Sequence, residues 1–179
     1  MVSAQEKNYA VDEVATERYQ DQKPGTSGLR KKVSVILENK FYLENFIQSI
    51  FNAVDLSDSP SLVLGGDGRY YNDKAIQVIL KIAAANNISK VIVAKDGLMS
   101  TPAISHMVRL LNKDKIECVG AILLTASHNP GGPDGDFGVK FNCENGGPAP
   151  EAVTSEIYEE TTSIKKFRIV TSLPEIDIK

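Results

Sequence analysis

The sequence predicts an α/β protein, a sandwich of helices around one mixed, mostly parallel sheet. Three observations predict it. Apolar runs of strand length recur at 61–66, 90–94 and 118–126. Between them lie segments of about a dozen residues whose apolar positions repeat at helical spacing. Each run then gives way to glycine-, asparagine- or proline-rich sequence, as strands do on entering a turn. Strands alternating with helices are the pattern of crossovers around a single sheet.

Taken in order, residues 1–18 carry little periodicity and read as a flexible N-terminal segment. A turn cluster follows, "DQKPGTSGLRKK" at 21–32, and then "KVSVIL" at 32–37 alternates like a half-buried strand, placed antiparallel at the sheet edge. From Phe41 to Val54 the positions Phe46, Ile47, Ile50, Phe51 and Val54 form one helical stripe. "SLVLGGDGR" is a buried strand running into a tight turn. Asn72 is placed to cap the next helix, whose Ala75, Ile76, Ile79, Leu80 and Ala83 share a face. "KVIVAKDG" is the next strand. Ser100 before Thr101 and Pro102 starts a helix with the stripe Ile104, Met107, Val108 and Leu111. "CVGAILLTA" is the most apolar strand, "GVKFN" a short return, and a last helix begins near Pro148–Glu151.

Composition narrows the classes of function. Hydrophobic residues make up 42% of the 179 and charged residues 24%, with a net charge of −3, so no basic field steers the chain toward nucleic acid. No apolar run approaches the length that spans a bilayer. The polar N-terminus lacks the apolar region of a secretory signal, and the two cysteines, Cys118 and Cys143, read as reduced cytosolic thiols. Together with His106 and His128 they show no zinc-ligand spacing.

In α/β sheets, sites form beyond the carboxyl ends of strands. Three loops qualify, Gly65–Arg69, Lys95–Ser100 and Ser127–Asp136, and only the last joins a nucleophile to an imidazole, in "TASHNPGGPDGDFGVKFN". Singly, each member has an ordinary reading: a strand-end serine, a turn histidine, a solvated lysine. A hydrolase reading would need the G-x-S-x-G elbow and a distant histidine, whereas here the serine lies between Ala126 and His128 in a run without that pattern. Phosphoryl transfer fits better. Gly131 and Gly132 allow close backbone approach to a phosphate, and His128 and Lys140 are near enough in sequence to move protons or balance charge. In "KPGTSGLRKK", Gly25 and Gly28 around Thr26 and Ser27 form a possible anion nest with Arg30 as a bidentate phosphate ligand, and no P-loop ending follows. "GGDGR" and "PDGDFG" read as turns rather than calcium loops, with Asp67 and Arg69 paired locally.

The run "TASHNPGGPDGDFGVKFN", followed by "NGGPAPEAVT", resembles the phosphoserine loop of the phosphoglucomutases in the α-D-phosphohexomutase superfamily. "DQKPGTSGLRKKV", "ENFIQSIF", "LGGDGRYY", "KIAAANNISKVIV" and "LMSTPAISHMVR" resemble the same proteins in the same order, from about Tyr19 to Ser163. Phosphomannomutase-type relatives share a shorter core, and the "GGPDGDFGVKFN" extension resembles the glucose-specific branch.

The resemblance implies the three-layer α/β/α first domain of that family over residues 19–170, with 171–179 beginning a linker. It implies that Ser127 is the phosphorylated nucleophile, exchanging phosphate with glucose 1-phosphate and glucose 6-phosphate through glucose 1,6-bisphosphate. Lys140 and His128 then handle protons and charge, Thr26, Ser27 and Arg30 line the substrate cleft, and Mg²⁺ binds an oxygen of the Ser127 phosphate. Family members are monomeric cytoplasmic enzymes of four domains, and the metal-binding D-G-D-G-D-R run of the second is not in this sequence. The expectation is therefore a first domain without turnover on its own. The alternatives are a phosphoglucomutase-like scaffold, structural or in membrane fusion, and a free-standing phosphosugar-binding module.

Overall fold

A computed structural model describes residues 9–179. The chain runs β1 (Asp12–Ala15), β2 (Leu29–Lys32), α1 (Val33–Glu38), α2 (Tyr42–Asn52), β3 (Ser61–Gly66), α3 (Asn72–Ala85), β4 (Lys90–Leu98), α4 (Thr101–Lys113), β5 (Cys118–Leu124), β6 (Asp136–Cys143), α5 (Glu151–Ser163) and β7 (Lys166–Ile169). Five strands form one sheet in the order β2-β6-β5-β3-β4. β3 pairs parallel with β4 and β5, while β6 pairs antiparallel with both β5 and β2. The expected mixed sheet is thus observed, with β6 as its one reversed strand.

Chain order explains the layers. From β3 the chain steps outward to β4, and from β4 it steps back past β3 to β5. Crossovers of one hand that travel in opposite directions place their helices on opposite faces. Accordingly Ile76, Ile79 and Ala83 of α3 pack with Leu62, Leu64, Ile122 and Leu124, together with α1, α2 and Ile157 of α5. Ile104 and Val108 of α4 instead meet Val63, Ala121 and Leu123 on the other face. All six residues of β3 are buried, as a central strand covered on both faces requires.

Four expectations need correction. "KVSVIL" is not a strand: β2 ends at Lys32, opposite Asp136, where β6 begins, and beyond that pair only the Val33 N–H still bonds across, to the Gly135 carbonyl at 3.0 Å. The chain turns instead into α1, burying Val33 and Ile36 three residues apart. Asn72 is not the cap of α3 but its first helical residue; Tyr71 holds the cap position with φ 77° and no side-chain cap bond. The featureless lead-in through residue 18 contains β1, which pairs antiparallel with β7, Val14 opposite the buried Phe167; its residues 1–8 lie outside those described. Residues 171–179 do not leave the domain as a bare linker. The Gln77 amide donates to the Ile176 carbonyl and accepts from its N–H, both at 2.9 Å, and the Asp96 N–H donates to the Ile178 carbonyl at 2.6 Å.

Ser100 caps α4 as expected, accepting from the Ala103 N–H at 3.4 Å ahead of Pro102.

Candidate functional site

β3 and β5 are neighbours whose connections depart in opposite directions, which opens a crevice at their carboxyl ends. Asp67 and Arg69 follow β3, and Thr125 and Ser127 follow β5. Ser127 sits at the turn out of the strand with φ 53°, in the left-handed region. A non-glycine residue held there costs of order 1–3 kcal/mol, so the surroundings must impose it.

They do so through its backbone. The Ser127 N–H donates to Thr125 Oγ1 at 3.1 Å, and its carbonyl accepts from Arg69 Nη2 at 3.3 Å. The side chain is thereby presented to solvent, where Arg30 Nη2 donates to Ser127 Oγ at 2.7 Å.

Register places the cations. Arg30 on β2 lies opposite Gly138 on β6, and Lys140 follows two residues along β6, on the same face of the sheet. The alternate residues Phe137, Val139 and Phe141 are buried in the core on the other face. Burial, and then the positive charge of Arg30, lowers the Lys140 ammonium pKa from its ordinary value. Arg30 Nε is itself buried without a partner among the described residues.

Thr26 and Ser27 form the exposed tip of a two-residue turn in which the Gly25 and Gly28 amides bond each other's carbonyls, at 3.2 and 2.9 Å. Those two amides are therefore spent on the turn. Gly28, at φ 83°, lies so close to β6 that an added Cβ would stand 2.8 Å from the Lys140 Cα. The tip thus rests beside Lys140. His128 is exposed next to Ser127, and no hydrogen bond holds its ring among the described residues.

The loop returns at Asp136, whose carboxylate accepts from Asn129 Nδ2 at 2.7 Å and pairs with Lys32 at 2.8 Å. These hydrogen bonds hold its pKa below the ordinary carboxylate value. The Asp67 carboxyl is raised by burial, but hydrogen bonds from Arg69 and Thr125 outweigh that and leave it lowered. A depressed folded pKa stabilises the fold above the ordinary value of 3.8 and loses that contribution as pH falls through the lower folded value. The melting temperature is therefore expected to drop as pH falls below about 3.8, and Asp67→Asn to make that drop shallower. An equally steep profile in the variant would refute it.

All six residues singled out in the sequence occur at this end of the sheet. Ser127, Arg30 and Lys140 are brought together, Thr26 and Ser27 stand beside Lys140, and His128 flanks the serine. Sequence reasoning anticipated the Asp67–Arg69 pair, which is present at 2.8 Å. It did not anticipate that this pair and Thr125 grip the serine loop; the only signal was that both follow strand ends.

One end of this α/β sheet thus gathers an exposed strand-end serine, an arginine on its hydroxyl and a lysine on the same face. Residues 21–168 match the family described as "Phosphoglucomutase/phosphomannomutase, alpha/beta/alpha domain I". The chain is 53% identical over 174 residues to the cytoplasmic phosphoglucomutase of Solanum tuberosum, covering 96% of this chain and 30% of that protein. It is 52% identical over 162 residues to human phosphoglucomutase-1, covering 89% of this chain and 28% of the relative. Among solved structures, the open form of parafusin from Paramecium, an exocytosis-sensitive phosphoprotein and phosphoglucomutase, superposes with a TM-score of 0.87 at 52% identity, over 90% of this chain and 29% of its own. The chain belongs to the phosphoglucomutase/phosphomannomutase family, as its α/β/α domain I. It spans about 30% of the length of the curated relatives it matches.

Proposed function

We propose that this chain is the nucleophile-bearing domain of a phosphoglucomutase that interconverts glucose 1-phosphate and glucose 6-phosphate. The observation that carries the reading is the 2.7 Å contact from Arg30 to the exposed hydroxyl of Ser127 at the crevice between β3 and β5. A phosphate on that oxygen would meet a guanidinium, and Lys140 from the same face, which suits a group that gains and loses charge.

In the forward half-reaction the phosphorus–Oγ bond of phosphorylated Ser127 breaks as a bond to the free hydroxyl of the hexose phosphate forms. The product is glucose 1,6-bisphosphate, and the hydroxyl proton passes to a base. After the bisphosphate reorients, the reverse step returns its other phosphoryl group to Ser127 Oγ. Lys140 and His128 move the protons and balance the charge. The lowered pKa of Lys140 makes it a readier proton donor than an ordinary lysine. Thr26, Ser27 and Arg30 hold the phosphate of the incoming sugar.

Magnesium is the metal this reaction class uses to stabilise charge on the transferred group. This chain would contribute the phosphate oxygen on Ser127. Among the described residues no group of three histidine, cysteine or acidic side chains is placed to hold a metal ion, so further ligands would be needed. Domains 2–4 of that polypeptide would supply them and the sugar-reading loops, and residues 19–170 alone would not turn over. The full-length enzyme would be a monomer, and a cytoplasmic location fits the naming of the potato relative; among the described residues no helix is long and apolar enough to cross a membrane.

Incubation of the full-length protein with glucose 1,6-bisphosphate is expected to add one phosphate, mapped to Ser127 by intact mass and peptide analysis. Phosphate on another residue would overturn the assignment.

A further inference from the structure

We propose that Arg69, acting with Asp67 and Thr125, is a positioning unit that imposes the left-handed backbone of Ser127 and so aims its hydroxyl at Arg30. This rests on the reading of Ser127 as the nucleophile. Three side chains from two strand ends make one connected network. Arg69 Nε donates to Asp67 Oδ1 at 3.0 Å and Nη2 to Asp67 Oδ2 at 2.8 Å, a fork that fixes the plane of the guanidinium. From that plane Nη1 reaches the Asp136 carbonyl at 2.6 Å and Nη2 the Ser127 carbonyl at 3.3 Å. Those carbonyls belong to the last and first residues of the loop 127–136, so one guanidinium ties the loop shut at its base. Its side chain is only 7% exposed, which removes competition from water.

Thr125 completes the circuit. Its hydroxyl donates to Asp67 Oδ2 at 2.7 Å, and the same oxygen accepts the Ser127 N–H at 3.1 Å. Both backbone polar groups of Ser127 are therefore bound to the network, and the residue between them is held at φ 53°. Breaking either tie lets the backbone relax toward negative φ, which swings the Cα–Cβ bond away from Arg30. Arg69 touches carbonyls and not Oγ, so it orients the nucleophile without entering the chemistry. A lysine, which has no planar fork, cannot reach Asp67 and both carbonyls together.

The test uses the full-length enzyme with Arg69→Lys, Thr125→Val and Thr125→Ser. Misplacing a reacting atom by about 1 Å costs on the order of a hundredfold. Arg69→Lys and Thr125→Val are accordingly expected to lower kcat about tenfold to a hundredfold, with KM for the hexose phosphate changed less than about threefold. Phosphate uptake by Ser127 from glucose 1,6-bisphosphate should slow by the same factor. Thr125→Ser, which restores the hydroxyl, should recover most of the rate. The double variant Arg69→Lys/Thr125→Val should be little worse than either single one, because both break one network.

A rise in KM with kcat preserved would make Arg69 a substrate ligand and overturn the proposal. So would wild-type uptake rates in both Arg69→Lys and Thr125→Val, or a Thr125→Ser variant as impaired as Thr125→Val. If the unmodified enzyme takes phosphate elsewhere than Ser127, the nucleophile assignment itself fails. If it takes phosphate on Ser127 and the variants do so equally fast, only the positioning role fails.

Discussion

Replacing Ser127 with alanine in the full-length protein is expected to cut mutase turnover by at least about a thousandfold, the scale on which loss of an enzymatic nucleophile is felt. The argument is local. Ser127 Oγ is the hydroxyl that the left-handed turn out of β5 presents to solvent, and it is the one Arg30 donates to. Alanine keeps the backbone, the Thr125 and Arg69 ties and the approach of Lys140, and removes only the atom that would carry the phosphate. Substrate binding should survive in part, because Thr26, Ser27 and Arg30 remain. The variant should therefore bind hexose phosphate with modest loss, take up no phosphate by intact mass, and show unchanged melting. Turnover within tenfold of the unmodified enzyme would place the nucleophile elsewhere.

Much of this site was legible because its chemistry is concentrated in two short runs. Ser127, His128 and Lys140 stand within one turn-rich return, and Thr26, Ser27 and Arg30 within another, so residue type singled out each group and the family resemblance joined the two. What was not legible is what depends on pairing across the chain. Arg69 reads as the partner of Asp67 two residues away, and so it is, but its other bonds reach Ser127 and Asp136, 58 and 67 residues on. No local pattern reports such a contact. The same cause explains β1, whose four residues carry no apolar alternation of note and become a strand only because β7 lies beside them. "KVSVIL" failed for a related reason. Its alternation suits a strand, but β6 begins opposite Lys32, so the ladder stops there and the run satisfies its backbone as a helix. The later strands and helices, by contrast, carry long runs that bury one face or both, and their period was sufficient.

The return strand offers a second large effect, and it links packing to chemistry. Gly138 on β6 accepts the Thr125 N–H on its carbonyl at 3.0 Å. A Cβ at Gly138 would sit well inside contact distance of the Thr125 carbonyl oxygen and 3.3 Å from the Ala126 Cα. Both are backbone, so no side-chain rotation relieves the overlap, and β6 must move away from the segment that carries Ser127. Gly138→Ala is expected to cost about 2–3 kcal/mol of stability, the upper part of the range for overpacking a tight interior. Activity of the full-length enzyme should fall at least as far as in the Arg69 and Thr125 variants, since the same loop is displaced. Gly131→Ala is the matched comparison, in the same loop with nothing within 4 Å of the added carbon. It should change stability by less than about 0.5 kcal/mol, as surface substitutions away from packed features do. Chemical denaturation of the two variants separates crowding from a general intolerance of the loop. Equal losses at Gly138 and Gly131 would show that close backbone approach at β6 does not set the position of Ser127. A large loss confined to Gly138 would tie the serine's placement to the contact between β6 and the end of β5.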